Sequence, residues 1–245
     1  PNREQRIKIV LTRMDSEHEH EVAVLQAVRT MVICKQPVPV PKAGELLVRV
    51  THAGICGSDL HYFRHGGLGS FKTPLPMPMG HEPAGIVISS NGSCEFKEGD
   101  RVAIEPGCPC LTSKWSLLGK HNLCERGTFM GADNTPGCFS TYVCVKEIQL
   151  FKIPDNVDLD VASVCEPLSI ALHTYKLCGN RTHDLINGSV IIFGAGPIGL
   201  GHLIILKAQG VRNVFVVDML EYRRNLAREL GASAVFATGA AFTTG

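Results

Sequence analysis

The sequence predicts a β-rich, barrel-like first part followed by an α/β dinucleotide-binding part, and three observations carry that prediction. From Val22 to Ile153 the chain reads as short apolar runs broken by Gly, Pro and Asn turn signals. At Val161 the apolar period lengthens to that of a helix. From Val190 a short apolar strand runs directly into Gly194-Ala195-Gly196-Pro197-Ile198-Gly199, then a mostly apolar helix, then a second strand ending in Asp218.

Taken in order, residues 1–21 mix charges and histidines (E-H-E-H-E at Glu17 to Glu21) without apolar periodicity, so a solvated tail holding His18 and His20 is expected. Val22 to Ala27, Met31 to Lys35 and Glu45 to Thr51 read as strands. Between them Gln36 to Pro41 alternates prolines and excludes helix. His61 to Met79 reads as one long loop; loops of that length inside a compact domain are usually functional or disordered, and because it joins two proposed ligand pairs the functional reading is favoured. Ala84 to Ser89, Asp100 to Glu105, Phe139 to Val145 and Glu147 to Ile153 are further strands, while Pro106 to Gly137 is irregular. A helix is expected from Pro167 to about Leu177, with Glu166 at its start and Pro167 in its first turn. A polar hinge follows from Gly179 to Asn187. Beyond the glycine turn come a helix to about Gln209, the strand Asn213 to Val217, a helix from Leu220 to Gly231 and a strand at Ala234 to Ala237.

Composition narrows the partners. With 245 residues, 24 Lys and Arg, 23 Asp and Glu and a net charge of +1, the chain has no field that would recruit nucleic acid or an acidic membrane. Ten cysteines without a signal-peptide pattern or a membrane-length apolar run read as reduced thiols in a soluble cytoplasmic protein. A small neutral ligand fits this balance.

Two stretches carry chemistry. Gly54 to Tyr62 reads G-I-C-G-S-D-L-H-Y, and Gly80-His81-Glu82 follows the loop. Cys56, His81 and Glu82 supply a thiolate, an imidazole and a carboxylate, a mixed set suited to a catalytic zinc that keeps one position open. The G-x-G-x-x-G turn is a weak signal alone. With a strand before it, a helix after it and an acid 19 positions beyond Gly199, it reads as a dinucleotide site. The pyrophosphate would rest on the helix starting near Pro197.

These stretches resemble the zinc-dependent medium-chain alcohol dehydrogenases, most closely the polyol branch that includes sorbitol and xylitol dehydrogenases. The likeness rests on I-C-G-S-D-L-H-Y-F at Ile55 to Phe63, G-H-E-P-A-G at Gly80 to Gly85, G-D-R-V-A-I-E-P-G at Gly99 to Gly107, C-E-P-L-S at Cys165 to Ser169 and F-G-A-G-P-I-G-L at Phe193 to Leu200. It implies a flexible tail (1–21), a GroES-like β-barrel catalytic domain (22–186) and a truncated Rossmann domain (187–245). It also implies a zinc- and NAD-dependent enzyme interconverting a sugar alcohol and a ketose. Cys56, His81 and Glu82 would lie at the zinc, with Glu166 beside it directly or through water. Ser58 would begin the proton relay and His61 extend it; Tyr62 and Phe129 would line the polyol pocket. Gly194, Gly196, Pro197, Ile198 and Gly199 would cradle the cofactor. Asp218 would take the adenosine ribose and favour NAD over NADP, whereas Arg223 and Arg224, on the next helix, argue for NADP with less weight. Homo-oligomerisation is left open.

The chain also departs from that pattern. Many relatives hold a second, structural zinc with four cysteines, but here Cys110 and Cys124 fall at two of the positions and Ser113 and Ser116 at the others, so this zinc is expected to be absent. A repaired set of Cys108, Cys110, His121 and Cys124 is disfavoured by the tight Cys108–Cys110 spacing. Ala132 stands where the polyol branch often has threonine, and Asn91 replaces a family glycine, a mild change because Asn tolerates positive φ. Three Rossmann strands, where a full fold has six, leave the first strand at an exposed edge. The alternative reading is therefore a truncated, non-catalytic remnant that binds zinc or a partner.

Overall fold

A computed structural model describes residues 19–132, 134–178 and 182–237. The chain divides into two compact units, one up to Val164 and the other from Cys165, so the helix read at Pro167 to Leu177 falls with the second unit, earlier than the divide near residue 186 implied by the resemblance.

The first unit opens with strand β1 (Glu19–Ala27), which pairs antiparallel with β2 (Thr30–Pro37). Residues Glu19 to Glu21, expected in a solvated tail, are therefore strand, and His20 is buried. Its ring lies 6.0 Å from that of Tyr142, and its Nδ1 accepts a hydrogen bond from the Tyr142 N–H at 3.3 Å. Burial pushes the His20 pKa below its ordinary value, which keeps the ring a neutral acceptor. His18 lies outside the described residues.

Strand β3 (Glu45–Gly54) leads into helix α1 (Gly57–His65), a small hairpin of β4 (Gly67–Leu68) and β5 (Phe71–Lys72), and β6 (Met77–Pro78). The segment read as one long loop thus begins inside a helix. Asp59 Oδ2 accepts from the Cys56 N–H at 2.9 Å, and Gly66, at φ 66°, closes the far end in the left-handed conformation. Then come β7 (Glu82–Ser89), β8 (Arg101–Ile104), β9 (Gly107–Cys108), helix α2 (Lys114–Leu117) and β10 (Thr128–Phe129). The unit closes with β11 (Tyr142–Lys146), β12 (Leu150–Lys152) and α3 (Leu159–Ala162). Glu147–Gln149, expected to be strand, forms a single 3₁₀ turn.

An antiparallel sheet in the order β11-β3-β7-β8-β12 carries the unit, beside a three-stranded sheet β2-β1-β6. Alternate side chains of these strands, among them Leu25, Leu46, Val48, Val87 and Val102, fill one core. Asn91 takes φ 46° between β7 and β8, a conformation that Asn tolerates, and its amide donates to the carbonyls of Lys42 and Glu45.

The second unit runs α4 (Cys165–Leu177), α5 (Thr182–Asn187), β13 (Ser189–Phe193), α6 (Pro197–Ala208), β14 (Asn213–Val217), α7 (Glu221–Glu229) and β15 (Ala234–Phe236). Much of the expected polar hinge is helix α5, because Leu185 and Ile186 pack on the core; Gly179 to Arg181 lie outside the described residues. The three strands are parallel in the order β13-β14-β15, with Leu203, Val214, Val216 and Ala227 buried around them. Among the described residues β13 stands at a sheet edge, with Phe193 77% exposed.

Candidate metal centre and glycine turn

Two strand ends build the first site. In the β3–β7 ladder Gly54 pairs with Glu82, so the chain leaving β3 and the chain entering β7 lie side by side. Cys56 follows Gly54 at the start of α1, and His81 precedes Glu82. A Cβ on Gly54 would fall on the Glu82 carboxylate, so glycine here leaves that carboxylate its place.

The Cys56 sulfur, one His81 ring nitrogen and one Glu82 oxygen lie within 4.8 Å of one another, the one such group of three or more ligand-type residues among the described residues. His81 and Glu82 are buried and Cys56 is half-buried. Burial pushes the Cys56 thiol up, the Ser58 hydrogen bonds pull it down, and the Glu82 and Asp59 carboxylates raise it further. Burial likewise raises the carboxyls of Glu82 and Asp59 against the opposing pull of His81. Three acidic groups thus crowd one imidazole, and a bound cation would relieve that crowding.

Asp59, which the sequence reading gave no role, sits under the imidazole. Its Oδ1 and the His81 Nδ1 are buried, have no hydrogen-bond partner and stand 3.7 Å apart. A metal-binding histidine usually donates its second ring N–H to a carboxylate, which fixes the ring and raises its basicity. Two facing orphan atoms of those types fit a site completed by zinc. In the sequence Asp59 gave no signal beyond its position three residues after Cys56.

Ser58 Oγ lies 3.4 Å from His81 Nε2. His61, one helical turn further along α1, is exposed. Phe129 on β10 places its ring 5.5 Å from the His81 ring and is 37% exposed. Tyr62 is buried in the core, its ring 6.3 Å from that of Phe71. Glu166 is in the first turn of α4, in the second unit.

In the second unit Gly194 takes φ 97°, Gly196 caps α6 and Pro197 opens it. Gly199 packs so closely that a Cβ there would fall on the Gly194 carbonyl. The start of α6 is left with backbone N–H groups that no earlier turn can satisfy, a setting for an anion. Ile198 is exposed beside it. Asp218 Oδ2 accepts from the Ala195 N–H at 2.7 Å and Oδ1 from the Leu220 N–H at 2.8 Å. Burial would raise this carboxyl, but those two bonds and the Arg223 and Arg224 guanidinium groups outweigh it and hold the pKa below the ordinary value. Arg223 approaches Asp218 to 3.9 Å, while Arg224 is occupied by the carbonyls of Asp218 and Met219.

The lobe after β9 brings Cys110, Ser113, Ser116 and Cys124 together, the four positions the resemblance aligned. Two thiols and two neutral hydroxyls make a poor zinc set.

Residues 42–155 match the alcohol dehydrogenase GroES-like domain. D-xylulose reductase A of Aspergillus oryzae is 38% identical over 216 residues, covering 87% of this chain and 59% of that protein. An uncharacterised zinc-type alcohol dehydrogenase-like protein of Escherichia coli is 40% identical over 217 residues, covering 87% of this chain and 61% of that one. The crystal structure of L-idonate 5-dehydrogenase from Escherichia coli superposes with a TM-score of 0.84 at 31% identity, over 92% of this chain and 64% of that one. This chain therefore spans about three fifths of the length of those curated relatives. The chain is thus similar to zinc-type alcohol dehydrogenases, and its residues 42–155 to their GroES-like domain.

Replacing Asp59 by Asn is expected to weaken zinc binding about 10- to 100-fold, the usual cost of a lost carboxylate behind a metal-binding histidine. A chelator competition titration reads this, and unchanged affinity would restrict Asp59 to capping α1.

Proposed function

We propose that the protein is a zinc-dependent, NAD-linked dehydrogenase that interconverts a sugar alcohol of the sorbitol or xylitol type and a ketose. The observation that carries this reading is the convergence of Cys56, His81 and Glu82, with Ser58 and Phe129 beside them. Relatives named for xylulose and idonate chemistry support the substrate class.

Cys56, His81 and Glu82 hold the metal. When bound, zinc acts as a Lewis acid; it lowers the pKa of a bound water from about 15.7 to about 7, and an equal shift at an alcohol is worth about 12 kcal/mol. Asp59 sets the His81 ring. The Ser58 hydroxyl, against His81, receives the alcohol proton and hands it to His61 at the surface, a transfer typically worth about 10² to 10⁴ in rate. Phe129 forms an apolar wall and Tyr62 backs α1 from the core. Bound NAD supplies the hydride acceptor. Gly194, Gly196, Pro197, Ile198 and Gly199 hold its pyrophosphate at the start of α6. Asp218 takes the adenosine ribose through lone pairs left by its two backbone bonds, with Arg223 alongside. The near-neutral charge, and the lack of any membrane-length apolar helix among the described residues, fit a small-molecule enzyme of the cytoplasm.

Purified protein loaded with zinc is expected to hold one metal at this group and to form NADH from sorbitol or xylitol, and Cys56→Ser to lose both. A metal-free variant that still turns over would overturn the ligand assignment. Burial raises the Cys56 thiol and the Glu82 carboxyl, so protons compete with the metal for both groups, and the Cys56 thiol must give up its proton to bind as a thiolate. Zinc affinity is therefore expected to fall as pH falls, with proton release measurable by calorimetry in buffers of different ionisation enthalpy; uptake without release would count against both ligands. Asp218→Asn removes the charge that repels a 2′-phosphate, so the NAD-over-NADP ratio of kcat/KM is expected to drop by about tenfold, the scale of one charge-assisted hydrogen bond. An unchanged ratio would remove Asp218 from the ribose site.

A further inference from the structure

We infer that Cys110 and Cys124 are a redox-reactive pair that closes to an intramolecular disulfide, a covalent clasp for the lobe between β9 and β10. Their sulfurs stand 3.4 Å apart, with the Cys124 thiol donating to the Cys110 sulfur. A tetrahedral zinc with Zn–S bonds of about 2.3 Å would hold two sulfurs about 3.8 Å apart. This pair is already closer than that, and an approach of about 1.4 Å completes an S–S bond.

The surrounding groups favour a thiolate at Cys110. The Ser113 N–H reaches its sulfur at 3.3 Å and the Thr112 hydroxyl at 3.5 Å. Arg126 holds that hydroxyl in place, its guanidinium donating to Thr112 Oγ1 at 3.0 Å. Leu111, at φ 56°, bends the backbone around the sulfur. Hydrogen bonds from the Thr112 hydroxyl and backbone, ahead of those from Ser113 and Cys124, pull the Cys110 thiol down to about 5. Cys124 receives the Cys110 N–H at 3.3 Å and the Ser113 hydroxyl at 3.5 Å. Both cysteines are half-buried, so a small reagent reaches them. Neither belongs to the Cys56 metal group.

The oxidant is a small-molecule disulfide of the glutathione type. The Cys110 thiolate attacks one of its sulfurs, forming a mixed disulfide and releasing one thiolate, which takes up a proton. Cys124 then gives up its proton and attacks the Cys110 sulfur, forming the Cys110–Cys124 bond and releasing the second thiol. Two protein thiols and one small disulfide become one protein disulfide and two small thiols, with two electrons passing to the oxidant.

The test equilibrates the whole, zinc-loaded protein in glutathione buffers of graded reduced-to-oxidised ratio, alkylates free thiols and maps peptides by mass spectrometry. The expected result is loss of two alkylatable thiols, a cross-linked peptide pair holding Cys110 and Cys124, and full recovery in excess reduced glutathione. Cys124→Ser is expected to stop at a glutathione adduct on Cys110. An unresolved adduct in the unaltered protein, two thiols that stay alkylatable at every ratio, or a second bound zinc lost on Cys110→Ser would each overturn the proposal.

Discussion

The pairing of Gly54 with Glu82 across the β3–β7 ladder is the constraint on which the rest of the first unit depends. It brings two chain segments to one place: the segment leaving β3 delivers Cys56, and the segment entering β7 delivers His81 and Glu82. Because side chains alternate along a strand, a one-residue slip would turn Glu82 to the other face of the sheet. The core positions of these same strands, Val48 and Val50 on β3 and Ala84 and Val87 on β7, hold the register by burying their side chains. Ligand geometry and hydrophobic packing are therefore one problem, solved once.

Helix α1 adds the second layer of that solution. Its first turn is tied to the cluster of Cys56, His81 and Glu82 by the carboxylate that it offers back to the Cys56 N–H, and the same carboxylate faces His81. One side chain caps a helix and sets a ring. The economy has a thermodynamic side: Asp59 is buried with an unpaired oxygen, a cost of about 1 to 3 kcal/mol that a protonated or metal-bound partner removes.

Much of this was legible in the sequence because its signals are short-range. The glycine turn is contiguous, and the strand before it, the helix after it and Asp218 all lie within one β-α-β unit. Cys56 and the His81-Glu82 pair stand in motifs whose residue types already limit the chemistry. What stayed hidden depends on partners far along the chain. His20 looked like one polar residue of a charged run, and only Tyr142, 122 residues later, makes it a buried strand residue. Helix α1 was masked by its own composition, since Gly57, Ser58 and the flanking Gly66 and Gly67 read as loop; its cap comes from Asp59 and its stop from a left-handed glycine. Helix α5 was likewise hidden, because two apolar residues, Leu185 and Ile186, were enough to dock a mostly polar segment.

The two-rung ladder of β9 and β10 has a mechanical meaning. Thr128 pairs with Cys108 and Phe129 with Gly107, so the aromatic ring facing His81 is mounted on the same short hinge from which the Cys110 lobe departs. A hinge so short stores little slack. The lobe at Cys110 begins two residues beyond Cys108, so its position and that of the Phe129 ring against His81 are set by the same two residue pairs.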